Sequence, residues 1–367
     1  LGSSAGWDGS QLGLTVRTAQ ADAALAIIAD VARRPAFADE EIERQRTLAL
    51  DSVAVAMSDP GDVARMTAAR ALYGAEPYGH PADGTAASLR AITRADLEAA
   101  WRAQWRPANA TLILTGDIEP AEARRLAERH FGDWSGEAAT PAPAPAEASA
   151  PRGGEVIVVD MPGAGQAAVA VTRRALSRRD PRFYRAVVAN AVLGGGYSAR
   201  LNQEIRIRRG LSYGSGSSVD ARAGTGPFTA VTQTRNDAAA EVLGLILGEM
   251  RRLGAEPISA AELTARRASL TGDFGRSAET TAGLASLMGS YVLRGVGPDE
   301  VGRYLPSVLA VTPAEAQEAA AQLLSPEGAT MVIVGEASQF VERLRAEGRT
   351  VIVIPIAELN LGAAALR

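Results

Sequence analysis

The sequence predicts an α+β chain of two topologically similar domains, each an antiparallel-rich sheet with helices packed on one face. Three observations predict it. Strand-like runs occupy 155–161 (EVIVVDM) and 166–174 (QAAVAVTRR). An internal repeat recurs at an offset of about 220 residues. A single Pro/Ala-rich stretch, SGEAATPAPAPAEASAPRG at 135–153, has the composition of a semi-rigid extended spacer. The expected organisation is therefore a first domain at 1–134, a linker at 135–153 and a second domain at 154–367.

The repeat fixes the element order in both halves. DEEIERQR (39–46) answers SAAELTARR (259–267), each on a polar helix. Thr93-Arg-Ala-Asp96 opens the next helix in the first half as Thr312-Pro-Ala-Glu315 does in the second. Both have the capping-box pattern, in which the Thr hydroxyl and the third-residue carboxylate satisfy free backbone N–H groups. Each helix leads to an apolar run ending in Gly-acid, TLILTGD (111–117) and TMVIVGE (330–336), expected as buried strands. Trp101 and Trp105, one helical turn apart, form an apolar stripe that Pro107 stops, which reads as packing. At that offset the first domain's counterpart of Gly154 falls before Leu1, so the first domain is expected to lack about its first third, and Leu1 reads as an internal or processed start.

Composition excludes several chemistries. The chain has no Cys and no Lys, so all 38 basic residues are Arg, which removes thiolate nucleophiles, Schiff-base lysines and the phosphate-loop lysine. The two histidines are His80, in a Pro/Gly-rich loop, and His130, at the end of a helix where a positive charge complements the dipole. Neither lies in an H-E-x-x-H or H-x-x-E-H pattern, so no zinc site is expected from this chain's own residues. A net charge of −4 with mixed signs argues against a nucleic-acid groove. No apolar run reaches the roughly 18 residues of a membrane helix, so no membrane insertion is expected.

The most informative stretch is 193–218, LGGGYSARLNQEIRIRRGLSYGSGSS. A Gly-rich loop leads into a helix with Leu201 and Ile205 on its apolar side, and Gly210 can end that helix in the left-handed conformation. A strand with a small-residue face follows. Arg206 falls late on the helix and Tyr213 at the strand entry, offering a charge and a hydroxyl to a peptide carbonyl or an oxyanion. On spacing alone the same residues also read as a surface helix with a solvated Arg face.

This segment resembles the C-terminal-domain motif of the pitrilysin/insulinase family of zinc metallopeptidases, in which an Arg and a Tyr seven residues apart contact the peptide being cut. Ser198, Arg200, Leu201, Glu204, Arg206, Gly210, Leu211 and Tyr213 all fit it, and the Trp101-to-Asp117 run is similar to another family pattern. The resemblance implies that the histidine motif belongs in the missing first third. It also implies a zinc-ligand Glu on the helix that begins ADEEIERQR. Matching Glu41, Ile42, Glu43, Arg44 and Arg46 to the family's run puts Ser52 at that ligand position, with Gln45 replacing a second acid. A neutral hydroxyl is a poor substitute for a carboxylate on a divalent cation, and Asp51 lies about 100° round the helix.

The resemblance therefore implies a catalytically incomplete subunit of a bacterial heterodimeric metalloendopeptidase. A zinc-binding partner subunit supplies zinc, and this chain supplies Arg206 and Tyr213 to a peptide or unfolded-protein substrate. Two alternatives stay open: a fragment of a complete zinc peptidase whose histidines precede Leu1, and a non-proteolytic scaffold member. The absence of Cys and the habits of resembling bacterial pairs point to the periplasm, with a cytoplasmic location the alternative.

Overall fold

The computed structural model describes residues 1–136 and 154–367; most of the expected linker, 137–153, lies outside the described residues. Two compact units emerge. One comprises Leu1–Asp51, the described part of Ala86–Ala144, and Asp273–Val301; the other comprises Ser52–Thr85, the described part of Pro145–Gly272, and Gly302–Arg367. Residues 52–85 thus belong with the sheet of the chain's second half, and 273–301 with the helices of its first.

The first unit is mostly helical. Strands β1 (Gly2–Gly6) and β2 (Gly9–Gly13) form an exposed antiparallel hairpin. The helices Ala21–Arg33 and Pro120–Phe131 are joined by polar bonds: His130 Nε2 lies 2.7 Å from Asp22, Arg129 lies 2.9 Å from the same carboxylate, and Arg33 reaches Asp133 at 2.8 Å. His130 therefore has a carboxylate partner as well as its place at a helix end. Trp101 packs edge-on against Phe37 and donates its indole N–H to Ala32 O at 2.8 Å. The box at Thr93 forms: Asp96 accepts from the Thr93 N–H, and the Thr93 hydroxyl accepts from the Asp96 N–H.

The expected strand at 111–117 does not form. Residues 111–115 have no regular structure, and Leu112 is exposed. A strand needs a neighbour to satisfy its ladder. Among the described residues of this unit the hairpin is the only sheet, and it pairs solely with itself.

The second unit is built on a six-stranded sheet. Its strands are β3 (Glu155–Asp160), β4 (Ala167–Arg174), β5 (Ser215–Val219), β6 (Pro227–Thr234), β7 (Thr330–Gly335) and β8 (Thr350–Pro355). The spatial order is β5-β6-β4-β7-β3-β8. The pairs β5/β6, β6/β4 and β4/β7 are antiparallel, whereas β7/β3 and β3/β8 are parallel.

Alternate residues of the central strands feed two cores. Val156, Val158, Val169, Val171, Phe228 and Ile333 pack with the helices Phe183–Leu193, Ala239–Ala255 and Pro313–Leu323. Ile157, Val159, Ala168, Ala170, Val332 and Val334 face the other way and meet Val63, Ala64, Ala68 and Ala71 of the helix Pro60–Tyr73. The helices therefore cover both faces of this sheet rather than one, which explains why its central strands are continuously apolar instead of alternating. The second cover comes from the chain's first half. It is fastened by Tyr73, whose hydroxyl donates to Thr225 O at 3.0 Å, and by Arg174, which pairs with Glu76 and sits 4.7 Å over the Tyr73 ring. Among the described residues no helix is long and apolar enough to cross a membrane.

Candidate functional site

The site grows from the sheet edge at β5. The helix Phe183–Leu193 ends in the loop 194–199, which leads into a helical segment, 200–208, and then a turn returning to β5. Leu201 and Ile205 are fully buried in the main core, so the segment is anchored by the side the sequence marked as apolar. Gly210 takes φ +64°, donating its N–H to Arg206 O at 2.9 Å, while the Leu211 N–H reaches Ile205 O at 2.9 Å. That closure ends the helix as the Gly predicts. The last stretch, Gln203–Arg208, is a π-helix, a wide turn frequent at functional sites.

Polar clips then fix the loop to the strand. Ser217 N–H donates to Gly194 O at 3.0 Å, Asn190 Nδ2 donates to Ser217 O at 3.1 Å, and the Ser217 hydroxyl donates to Asn190 Oδ1 at 2.7 Å. A Cβ added at Gly194 would overlap Ser217, so only glycine lets loop and strand approach this closely. Asn202, buried beneath the loop, donates to Tyr197 O at 2.6 Å and accepts from the Ser215 N–H at 3.1 Å. Arg200 pairs bidentately with Glu262 at 2.9 Å, and Arg266 donates to Ser198 O. Thr234 and Thr232 donate to Leu211 O and Gly214 O at 2.6 and 2.9 Å, pinning both sides of Tyr213. Three outward backbone groups of β5, the N–H groups of Ser215 and Ser217 and the Ser217 carbonyl, are thus already bonded, which obstructs strand addition along this stretch of edge.

The structure brings the two sequence-predicted residues together. Arg206 Cζ lies 4.9 Å from the Tyr213 ring centroid, and Tyr213 is 88% exposed. A third residue, not marked out by the sequence, completes the arrangement: the Tyr197 ring lies 5.0 Å from the same Cζ. Its signal lay only in its place, at the end of the Gly loop.

Charge around the site is selectively balanced. Glu204 accepts from Arg208 at 2.9 Å and Arg209 at 2.9 Å. The Arg206 side chain makes no hydrogen bond or ion pair among the described residues; its partners are rings. The bonds from Arg209, then those from Arg208, hold the Glu204 carboxyl below the usual carboxylate range, against some opposing desolvation.

A pH prediction follows from that lowered value. Its stabilisation is complete above about pH 4.3, the ordinary Glu pKa, and is lost as the pH falls through the lower folded value. Thermal denaturation of the parent and Glu204→Gln should show a Tm difference that is largest near neutrality and shrinks in acid. A gap that does not change with pH would contradict the assignment.

Ser52 sits exposed on the helix Asp39–Ser58, beside an exposed Asp51. Among the described residues no three His, Cys, Asp or Glu side chains converge as metal ligands. His130 is engaged with Asp22, far in sequence from His80. The described residues offer no set of ligands that fits a zinc ion.

Comparison with known proteins agrees with the motif. Residues 91–270 match the peptidase M16 inactive domain. A relative from Mycobacterium leprae, described as an uncharacterized zinc protease, is 28% identical over 249 residues, which cover 68% of this chain and 56% of the relative. Another so described, from Streptomyces coelicolor, is 27% identical over 317 residues, covering 84% of this chain and 68% of the relative. The crystal structure of a peptidase M16 inactive domain from Pseudomonas fluorescens superposes with a TM-score of 0.77 at 24% identity, covering 86% of this chain and 76% of that one. With the Arg206/Tyr213 motif in place, a family match over residues 91–270 and relatives that match most of the chain's length, the chain is similar to members of the pitrilysin/insulinase-type peptidase M16 family.

Proposed function

We propose that this chain is a catalytically incomplete subunit of a heterodimeric zinc metalloendopeptidase, lending Arg206 and Tyr213 to the zinc site of a partner subunit. One observation carries the reading. Within a helix whose other arginines are paired with carboxylates, Arg206 alone is held by aromatic rings, beside a tyrosine that is 88% exposed. An arginine so held keeps its N–H groups for an acceptor brought from outside, and a phenolic hydroxyl beside it is a second donor.

Such donors suit the backbone of a peptide or unfolded protein. They hold the carbonyl and support the negative charge that develops on its oxygen as the amide is attacked, needing only fixed geometry. Metal and glutamate base must lie together elsewhere, since this chain's described residues offer no metal cluster. In this reading they belong to a partner carrying the H-x-x-E-H motif.

The test is reconstitution. Zinc content and hydrolysis of a fluorogenic peptide are measured for this chain alone, for an H-x-x-E-H subunit alone, and for the two mixed. The proposal predicts a metal-free, inactive chain that raises the partner's rate. Stoichiometric zinc with unaided cleavage would replace it by a complete enzyme, and a mixture no faster than the partner would favour a scaffold.

A further inference from the structure

We infer that Tyr197 is a positioning residue for Arg206, so that the peptide contact is a three-residue clamp, Tyr197–Arg206–Tyr213, rather than a pair; this rests on the substrate-binding reading of Arg206. The guanidinium carbon lies 5.0 Å from one ring centroid and 4.9 Å from the other, both within the ~6 Å reach of a cation–π contact. The Arg206 side chain makes no hydrogen bond or ion pair among the described residues, and these rings are its partners. The guanidinium N–H groups lie in the plane of that group and stay available to a carbonyl or carboxylate oxygen.

The exposure of the rings points the same way. Tyr197 is 66% exposed and Tyr213 88%, so neither is held in place by core burial. The Tyr197 backbone is nevertheless fixed. Its carbonyl accepts from Asn202, and the carbonyl of the next residue, Ser198, accepts from the buried Arg266. A loop whose backbone is fixed thus presents an exposed ring to the cation, and each restricts the other.

Arginine carries about 2 kcal/mol of side-chain entropy, part of which a peptide must remove on binding. A ring that already restricts Arg206 lowers that cost. It touches no reacting atom, so its loss should appear in KM rather than in kcat.

The experiment compares Tyr197→Leu, which removes the ring, with Tyr197→Phe, which restores it. Exposure at this position makes folding of both variants safe, and circular dichroism checks it. On the full chain alone, NMR follows the Arg206 side-chain protons, assigned by their disappearance in Arg206→Lys. Ring-current shifts should be present in the parent and in Tyr197→Phe and reduced in Tyr197→Leu. In the reconstituted pair with a fluorogenic peptide, Tyr197→Leu should raise KM about two- to fivefold, the equivalent of an exposed cation–π contact, with kcat within about twofold. Tyr197→Phe should recover the parental KM.

Unchanged shifts and KM in Tyr197→Leu overturn the inference. So does a Tyr197→Phe variant as impaired as Tyr197→Leu, which would assign the effect to the hydroxyl. If Arg206→Ala itself leaves hydrolysis unchanged, the substrate-binding reading fails and the positioning role falls with it. An effect of Arg206→Ala without one of Tyr197→Leu removes only the clamp.

Discussion

Replacing Arg206 by alanine should lower kcat/KM of the reconstituted peptidase by about 10²–10³-fold, the usual consequence of removing one preorganised oxyanion donor. The substitution should leave this chain folded, because the Arg206 side chain makes no hydrogen bond or ion pair among the described residues and the core contacts of its segment come from Leu201 and Ile205. Tyr213→Phe removes only a hydroxyl and should cost less, about two- to tenfold, in keeping with the net worth of one hydrogen bond. Tyr213→Leu should cost more than Tyr213→Phe, since it also removes a ring from Arg206. Steady-state hydrolysis of a fluorogenic peptide checks the series. Equal activity for parent and Arg206→Ala would show that the arginine is only a surface charge.

Asn202→Ala should be the most damaging truncation among the polar clips beneath the site. Asn202 is 3% exposed and joins the Gly loop to the sheet edge through Tyr197 O and the Ser215 N–H. Alanine leaves both groups without that partner, one of them fully enclosed, and each orphaned group costs roughly 1–3 kcal/mol. A loss of about 2–4 kcal/mol should therefore appear in urea denaturation as a lower midpoint with an unchanged slope. At a temperature where the variant stays folded, hydrolysis by the reconstituted pair should also fall, because the loop that carries Tyr197 is released from the strand that follows Tyr213. A loss below about 0.5 kcal/mol would mean that neighbouring clips, such as Asn190 with Ser217, hold the loop alone.

Local chemistry was legible in the sequence, and through-space relations were not. Leu201 and Ile205 are buried, Gly210 is left-handed, β5 follows, and both capping boxes form, because each depends on residues within one or two turns. The run TMVIVGE forms β7, since β4 and β3 flank it on either side. Its repeat partner TLILTGD has similar propensity and no such neighbours among the described residues, so the same pattern stays irregular. Strand propensity is a statement about surroundings as much as about residues.

The second cover of the large sheet was hidden for a related reason. The helix Pro60–Tyr73 is rich in Ala and Arg, and its small side chains show what they bury only once strands offer a surface. At the site, Arg206 and Tyr213 could be paired from their spacing and the family motif. Tyr197 could not, because its contact with Arg206 depends on a loop folding back, and nothing in the spacing announces a π-turn. The Asp22–His130 pair spans 108 positions and was equally invisible to a local reading.

The shared-site account is tested most directly by titrating an H-x-x-E-H subunit with this chain and following peptide hydrolysis, once with the parent and once with the Arg206→Ala/Tyr213→Phe double variant. The account predicts saturable stimulation by the parent and almost none by a double variant that still binds the subunit. Equal stimulation by both would show that the chain assists its partner only as a scaffold, and the role assigned to Arg206 and Tyr213 would be wrong.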